Sequence, residues 1–300
     1  MTLRALYDVA APAKLNLFLH VVGRRADGYH LLQSLFVLID WCDTLHFELR
    51  HDSTLARYDL SATLPADDLC LRAASALRAA SGTTLGADIS IDKQVPWGAG
   101  MGGGSSDAAS TLLALNRLWG LNWPRSRLLP LGLTLGADVP FFLGGHNAIV
   151  EGIGERLTPV TLPRQWLAVL KPLDNIETRA IFASPLLVHS SEAATLAGFS
   201  PNAQLAKVGA WMEPGFGRSD LQPPAEAECH QVAQAGAVLH RAFGNSRMTG
   251  SGSAVFARAG SAANAVDQPS AAMPAALVPG WVGRMCRSLV EHPLVGWAED

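Results

Sequence analysis

The stretch Pro96–Ala108, PWGAGMGGGSSDA, constrains this chain more than any other. Five of the seven residues from Gly98 to Gly104 are glycine, and no Lys or Arg stands among them. Such a run leaves successive backbone amides unshielded, so they can converge on an anion that side chains would keep away. A helical pattern follows at once: Ala108, Leu112, Leu115 and Trp119 share one face, and Gly120 closes it. A loop that runs into a helix N-terminus ends in partial positive charge. Ser105 or Ser106 can cap that helix and offer a hydroxyl to a phosphate or a metal. The loop therefore needs no basic side chain of its own, provided that Mg2+ arrives with the phosphates of a nucleotide.

Other glycine signatures fit less well. A Walker A loop requires a Lys after its last glycine, and none follows here. Residues 98–103 match G-x-G-x-x-G, but a dinucleotide-binding unit needs an acidic residue roughly 20 positions on. No Asp or Glu lies between Asp107 and Asp138, and Pro96 interrupts the strand that should run straight into the turn. A flexible linker would not lead directly into an amphipathic helix.

With 49% apolar and 16% charged residues, the 300-residue chain can bury one large core or two ordinary ones. A net charge of −3 argues against a nucleic-acid partner. The four cysteines are scattered with no C-x-x-C pair, so a reduced cytoplasmic protein without a zinc site is expected. The histidines show no ligand spacing such as H-E-x-x-H. No apolar run is long and unbroken enough to span a membrane, and no signal peptide is legible.

KLNLFLHV (14–21) alternates strictly, which predicts a half-buried strand with Lys14 and Asn16 together on the open face. Further strands are expected at 43–49, 87–92, 166–171, 253–258 and 280–286. Helices are expected near 66–82, 105–120, 125–136 and 227–244, with a loop at 214–225 and no assignment for 259–280. Mixed elements without regular βαβ alternation indicate α+β, with a boundary near residue 155. The expected domains are thus 1–155 and 156–300.

Four segments taken together, PAKLNLFLHVVGRRADGYHLLQSLF (12–36), PWGAGMGGGSSDAA (96–109), GLTLGADVPFF (132–142) and RMTGSGSAVF (247–256), resemble the motifs of the GHMP kinases, the galactokinase, homoserine kinase and mevalonate kinase group. The first and third are most similar to a branch that acts on a cytidine diphosphate-linked polyol in non-mevalonate isoprenoid synthesis. The likeness is dense over 11–157 and 245–257 and thin over 185–243 and 258–300. Met101 stands where the family usually has Leu, and Ser219–Leu221 matches only part of a family Asn-Asp-Leu pattern.

The resemblance implies an N-terminal domain like the second domain of ribosomal protein S5 and a ferredoxin-like C-terminal domain, with the active site in the cleft between them. It implies transfer of the γ-phosphoryl of ATP, with no metal site of the protein's own: Mg2+ is carried by the nucleotide, and Ser105 is a candidate to touch it. Pro96, Gly98, Ala99, Gly100, Met101, Gly102, Gly103, Gly104, Ser105 and Ser106 would surround the phosphates. Asp138 would accept or orient the proton of the attacking hydroxyl, and Lys14 would keep Asp138 ionised and offset charge on the phosphoryl. Asn16 would hydrogen-bond substrate. Tyr29 and Phe182 would sandwich the cytosine, with His30 on its edge. Thr249, Gly250 and Gly252 would supply contacts near the diphosphate. The expected partners are small molecules, with the protein a monomer or homodimer. A kinase for another alcohol, an NAD(P)-dependent oxidoreductase and a non-catalytic nucleotide binder are the competing functions.

Overall fold

The computed structural model describes residues 3–188, 217–261, 264 and 267–300. The segments richest in alternating apolar residues form its two longest strands, β1 (Ala5–Arg24) and β2 (His30–Arg50), paired antiparallel. The other edge of β2 is divided between two partners. Residues 44–50 pair with β4 (Gly86–Asp92), and residues 32–36 pair with β5 (Ala148–Gly152). β3 (Leu55–Asp59) runs parallel to β4, and β6 (Arg156–Pro159) closes a hairpin with β5. A second, four-stranded sheet has the order β10 (Val282–Arg287), β7 (Gln165–Lys171), β9 (Val255–Ser261), β8 (Arg247–Met248).

Four layers result. Helices α1 (Leu69–Ser81), α2 (Gly103–Leu118), α3 (Arg125–Leu135) and α4 (Val139–Gly144) cover one face of the first sheet. Its other face packs on the second sheet, whose far side is covered by α5 (Thr178–Ala183), α6 (Gln222–Glu228) and α7 (His230–Phe243). β2 shows why its sequence is apolar throughout. Phe36 and Leu38 face the helices, while Leu35, Val37 and Ile39 face the second sheet. A strand covered on both sides has no polar face to display.

The same burial corrects the half-buried reading of residues 14–21. Lys14 and Asn16 are 3% and 1% exposed, and Phe18 is fully buried. The pairing slips between Asn16 and Leu19, a bulge that breaks the alternation. As a result Phe18 joins Leu15 and Leu17 in the inter-sheet core, while Leu19 and Val21 pack with the second sheet's helices.

α1 ends where expected, at Gly82 in the left-handed conformation, but starts later than expected, at Leu69, because Asp68 caps it by accepting from the Leu71 amide. The expected helix 227–244 is instead two, broken at Cys229, whose backbone is extended. Part of the loop expected at 214–225 is the start of α6, because Pro223 and Pro224 sit in its first turn, where the missing amide hydrogens are not needed. Residues 189–216 of the thinly matching region lie outside the described residues.

The expected boundary at 155 falls inside the β5–β6 hairpin, so the first sheet extends to Pro159. Beyond β10 the chain returns to the first sheet. The Leu289 amide donates to Leu38, the His292 amide donates to Gly145, and Leu294 enters the core under α2 and α4.

Candidate active site

β4 delivers the chain through Lys93–Trp97 into the glycine loop, and the loop delivers it into α2. The helix begins at Gly103 with Gly102 as its N-cap residue and no side-chain cap. This corrects the expected capping by Ser105 or Ser106: both lie inside the first turn. The Ser106 hydroxyl is buried without a hydrogen-bond partner, and Ser105 is half-buried.

Two glycines are compelled by geometry. Gly100 has φ +71°, and a Cβ there would lie 2.5 Å from the Thr249 carbonyl oxygen. Gly102 also has φ +71°, and a Cβ there would press on the Phe142 ring at 3.0 Å and on Lys14 Cε at 3.3 Å. The second glycine-rich turn is clasped to the first: Ser253 and Ala254 donate their amides to Gly98 and Ala99 at 3.2 and 3.3 Å. The Met101 carbonyl accepts from the Lys14 amide at 2.9 Å, and the Met101 side chain is buried between the sheets.

The loop is thereby a thin wall between two cavities. A larger one, about 310 Å3, is lined by Pro96, Trp97, the backbone of Gly98–Gly104, Leu69 and Lys93. A smaller one, about 240 Å3, holds Lys14, Asn16, Asp138, Phe36 and Phe182. Gly100 and Gly102 line both. With no side chains there, only backbone separates the two spaces.

Within the smaller cavity, Lys14 Nζ lies 3.6 Å from Asp138 Oδ2, donates to Asn16 Oδ1 at 2.6 Å and stands 4.4 Å over the Phe36 ring. Burial pushes the Lys14 pKa down, and the Asp138 carboxylate pulls it back up. Asp138 directly precedes α4 and keeps a third of its side chain exposed to the cavity. Asn16 is a hub. Its Oδ1 also accepts from the Gly250 amide at 3.0 Å, its Nδ2 donates to Ser34 Oγ at 3.0 Å, and its own amide donates to Thr249 Oγ1 at 2.8 Å. Gly252 donates its amide to the Thr249 carbonyl within the same turn.

At the far end, Phe182 on α5 stacks on the His30 ring, with centroids 5.0 Å apart and planes at 25°. Tyr29 is 61% exposed and lines neither cavity. The structure therefore brings together Lys14, Asn16, Asp138, Phe182 and the two glycine turns, and pairs His30 rather than Tyr29 with Phe182.

Sequence reasoning missed a buried ionic cluster beneath the loop. Lys93 Nζ contacts Asp107 Oδ2 at 2.5 Å and Asp43 Oδ2, while Asp43 Oδ1 accepts the Gln94 and Val95 amides at 2.6 and 2.7 Å. The available signal was a Lys three residues before Pro96 and an Asp near the start of a helix whose next residues are alanines.

Residues 68–146, which include the loop, match the N-terminal domain of the GHMP kinases. Over 300 residues the chain is 65% identical to the 4-diphosphocytidyl-2-C-methyl-D-erythritol kinase of Methylibium petroleiphilum, covering 99% of this chain and all of that one. The chain belongs to the GHMP kinase family, in its 4-diphosphocytidyl-2-C-methyl-D-erythritol kinase branch. A second member of that branch, from Albidiferax ferrireducens, is 55% identical over 99% of this chain and 96% of its own. A crystal structure of 4-(cytidine 5'-diphospho)-2C-methyl-D-erythritol kinase superposes with a TM-score of 0.71 at 35% identity, over 83% of this chain and 89% of that one. The homoserine kinase of Cytophaga hutchinsonii shares the fold, with a TM-score of 0.66 at 15% identity over 97% and 96% of the two chains. The mixed α/β architecture is thus that of a GHMP kinase.

Proposed function

We propose that this enzyme transfers the γ-phosphoryl of ATP to the 2-hydroxyl of 4-diphosphocytidyl-2-C-methyl-D-erythritol, giving the 2-phosphate and ADP, in non-mevalonate isoprenoid precursor biosynthesis. The names of its close relatives support the substrate. The observation that carries the chemistry is the pair of cavities joined at Gly100 and Gly102, with Lys14 and Asp138 on the acceptor side.

The nucleotide's phosphates lie on the amides of residues 98–104 and at the N-terminus of α2, and its γ-phosphoryl points past Gly100 and Gly102. The acceptor hydroxyl approaches from the smaller cavity beside Asp138, which orients it and takes its proton. Lys14 offsets the charge that gathers on the transferred group, held to its task by Asn16 and the Phe36 ring. Phosphoryl transfer passes through a loose transition state, so this positioning matters more than base strength.

Among the described residues no three His, Cys, Asp or Glu side chains are grouped to hold a metal. The unpartnered Ser106 hydroxyl and the neighbouring Ser105 fit a cation that arrives with the nucleotide. These hydroxyls would hold Mg2+ carried by the nucleotide, which would supply charge neutralisation. Phe182, which lines the smaller cavity, and His30 stacked on it are the groups offered to the cytosine. The nucleotide side is built from the first sheet with α1–α4, and the acceptor side from both halves, Lys14, Asn16 and Asp138 from the first and Phe182 and Gly250 from the second.

An ADP-release assay with the cytidyl substrate, with and without Mg2+, tests this. Asp138→Asn is expected to lower kcat by about 10^2 to 10^4 while ATP affinity stays within a few-fold. Turnover of homoserine or mevalonate in place of the cytidyl substrate would overturn the proposal.

A further inference from the structure

Among the described residues that line the larger cavity, Lys93 is the one Lys or Arg. Its position invites the role of a phosphate ligand, but its ammonium is already committed. It lies between Asp107 Oδ2, at 2.5 Å, and Asp43 Oδ2. Asp43 is fully buried and Asp107 is 3% exposed. A single cation thus faces two carboxylates in a space with little water, where unpaired charge is costly.

The cluster sits directly under the glycine loop. A Cβ on Gly103 would lie 3.6 Å from Asp43 Oδ2. Asp107 belongs to the second turn of α2, and its Oδ1 is buried with no hydrogen-bond partner. Two acids therefore stand beneath the place where a helix N-terminus and a row of amides attract phosphate. Left uncompensated, they would oppose that attraction. Burial, with Asp43 adding to it, raises the Asp107 pKa even though Lys93 pulls the other way, so a second negative charge is tolerated here only beside the Lys93 ammonium.

We propose that Lys93 is a positioning residue that screens Asp43 and Asp107 from the nucleotide's phosphates, rather than a phosphate ligand. The same contacts tie the two ends of the loop together. Asp43 holds the amides of Gln94 and Val95 where the chain approaches the loop, and Asp107 holds Lys93 from the helix that leaves it. The proposal rests on the ATP-binding reading above.

The test is calorimetric binding of a non-hydrolysable ATP analogue with Mg2+, which needs no acceptor. If the wild type does not bind it, the functional reading fails, whatever Lys93 does. Given wild-type binding, Lys93→Met is expected to weaken affinity at least tenfold while KM for the acceptor changes less than threefold. The triple variant Asp43→Asn, Lys93→Met, Asp107→Asn carries no charge in the cluster, and the carboxamide oxygen that Asp43→Asn introduces can still accept the two backbone amides. Its affinity is expected within threefold of wild type. A direct phosphate ligand predicts the opposite, a triple variant as weak as Lys93→Met. Either that result or a Lys93→Met variant within twofold of wild type would overturn the proposal. Should Lys93→Met alone fail to fold, the triple variant decides: a loss beyond tenfold rules against screening.

Discussion

Lys14 and His292 show how single residues carry consequences that their type alone does not announce. A strand lysine is ordinarily solvated; here burial, a carboxylate, an amide oxygen and an aromatic face define its surroundings. His292 is 1% exposed in the returning C-terminal segment, its Nδ1 accepting from the Leu294 amide at 3.0 Å. Burial, helped by Arg125, lowers its pKa from 6.5 to about 3. The unfolded chain therefore takes up a proton near pH 6.5 that the folded chain refuses until about pH 3. Folding stability falls as pH drops through that window, by up to about 1.4 kcal/mol per pH unit from this group. Urea unfolding between pH 7 and pH 4 should show a shallower acid loss for His292→Asn than for wild type; equal slopes would show that His292 does not stay neutral.

At the level of elements, the glycine turns 98–104 and 249–253 are one structure made from two distant segments. Each is tight because the other is there, as the contact of Gly100 with the Thr249 carbonyl shows. Gly100→Ala is expected to cost about 1–3 kcal/mol, from the left-handed backbone and the clash, and to weaken ATP binding. Gly104→Ala is the contrasting change. Gly104 is exposed on α2 with ordinary φ, and only Leu69 Cδ1, at 3.5 Å, would meet a new Cβ. It is expected to leave stability unchanged or raise it by up to about 1 kcal/mol. Thermal unfolding and nucleotide titration of both variants check the contrast. The loop and the helix after it were legible because glycine excess and helical period are local signals. Their partner turn was legible only as a motif, since nothing local says that two loops roughly 150 residues apart will clasp.

The whole molecule is held as one body. Leu15, Leu35 and Val37 of the first sheet share a core with Leu167, Val169 and Phe256 of the second. The C-terminal segment crosses back, and Arg125 grips it by donating to the Val295 carbonyl at 2.5 Å and pairing with Asp300, while its Nε donates to the Leu143 carbonyl at 2.7 Å. The two halves are therefore expected to unfold together. Urea titration followed by circular dichroism and by tryptophan fluorescence should give coincident single transitions; two separated transitions would show that the inter-sheet core does not couple them.

The sequence by itself determined most of the elements, the glycine loop that runs into a helix, the kinase family and the acid and lysine at 138 and 14 that the structure brings together, because propensity, period and motif are written along the chain. Tertiary structure alone decided that β1 is covered on both faces, that Asn16 joins the lysine to the second glycine turn, and that Asp43, Lys93 and Asp107 meet under the loop. Those facts depend on which surfaces come into contact, and a buried charge becomes meaningful only once its partners and its distance from water are set.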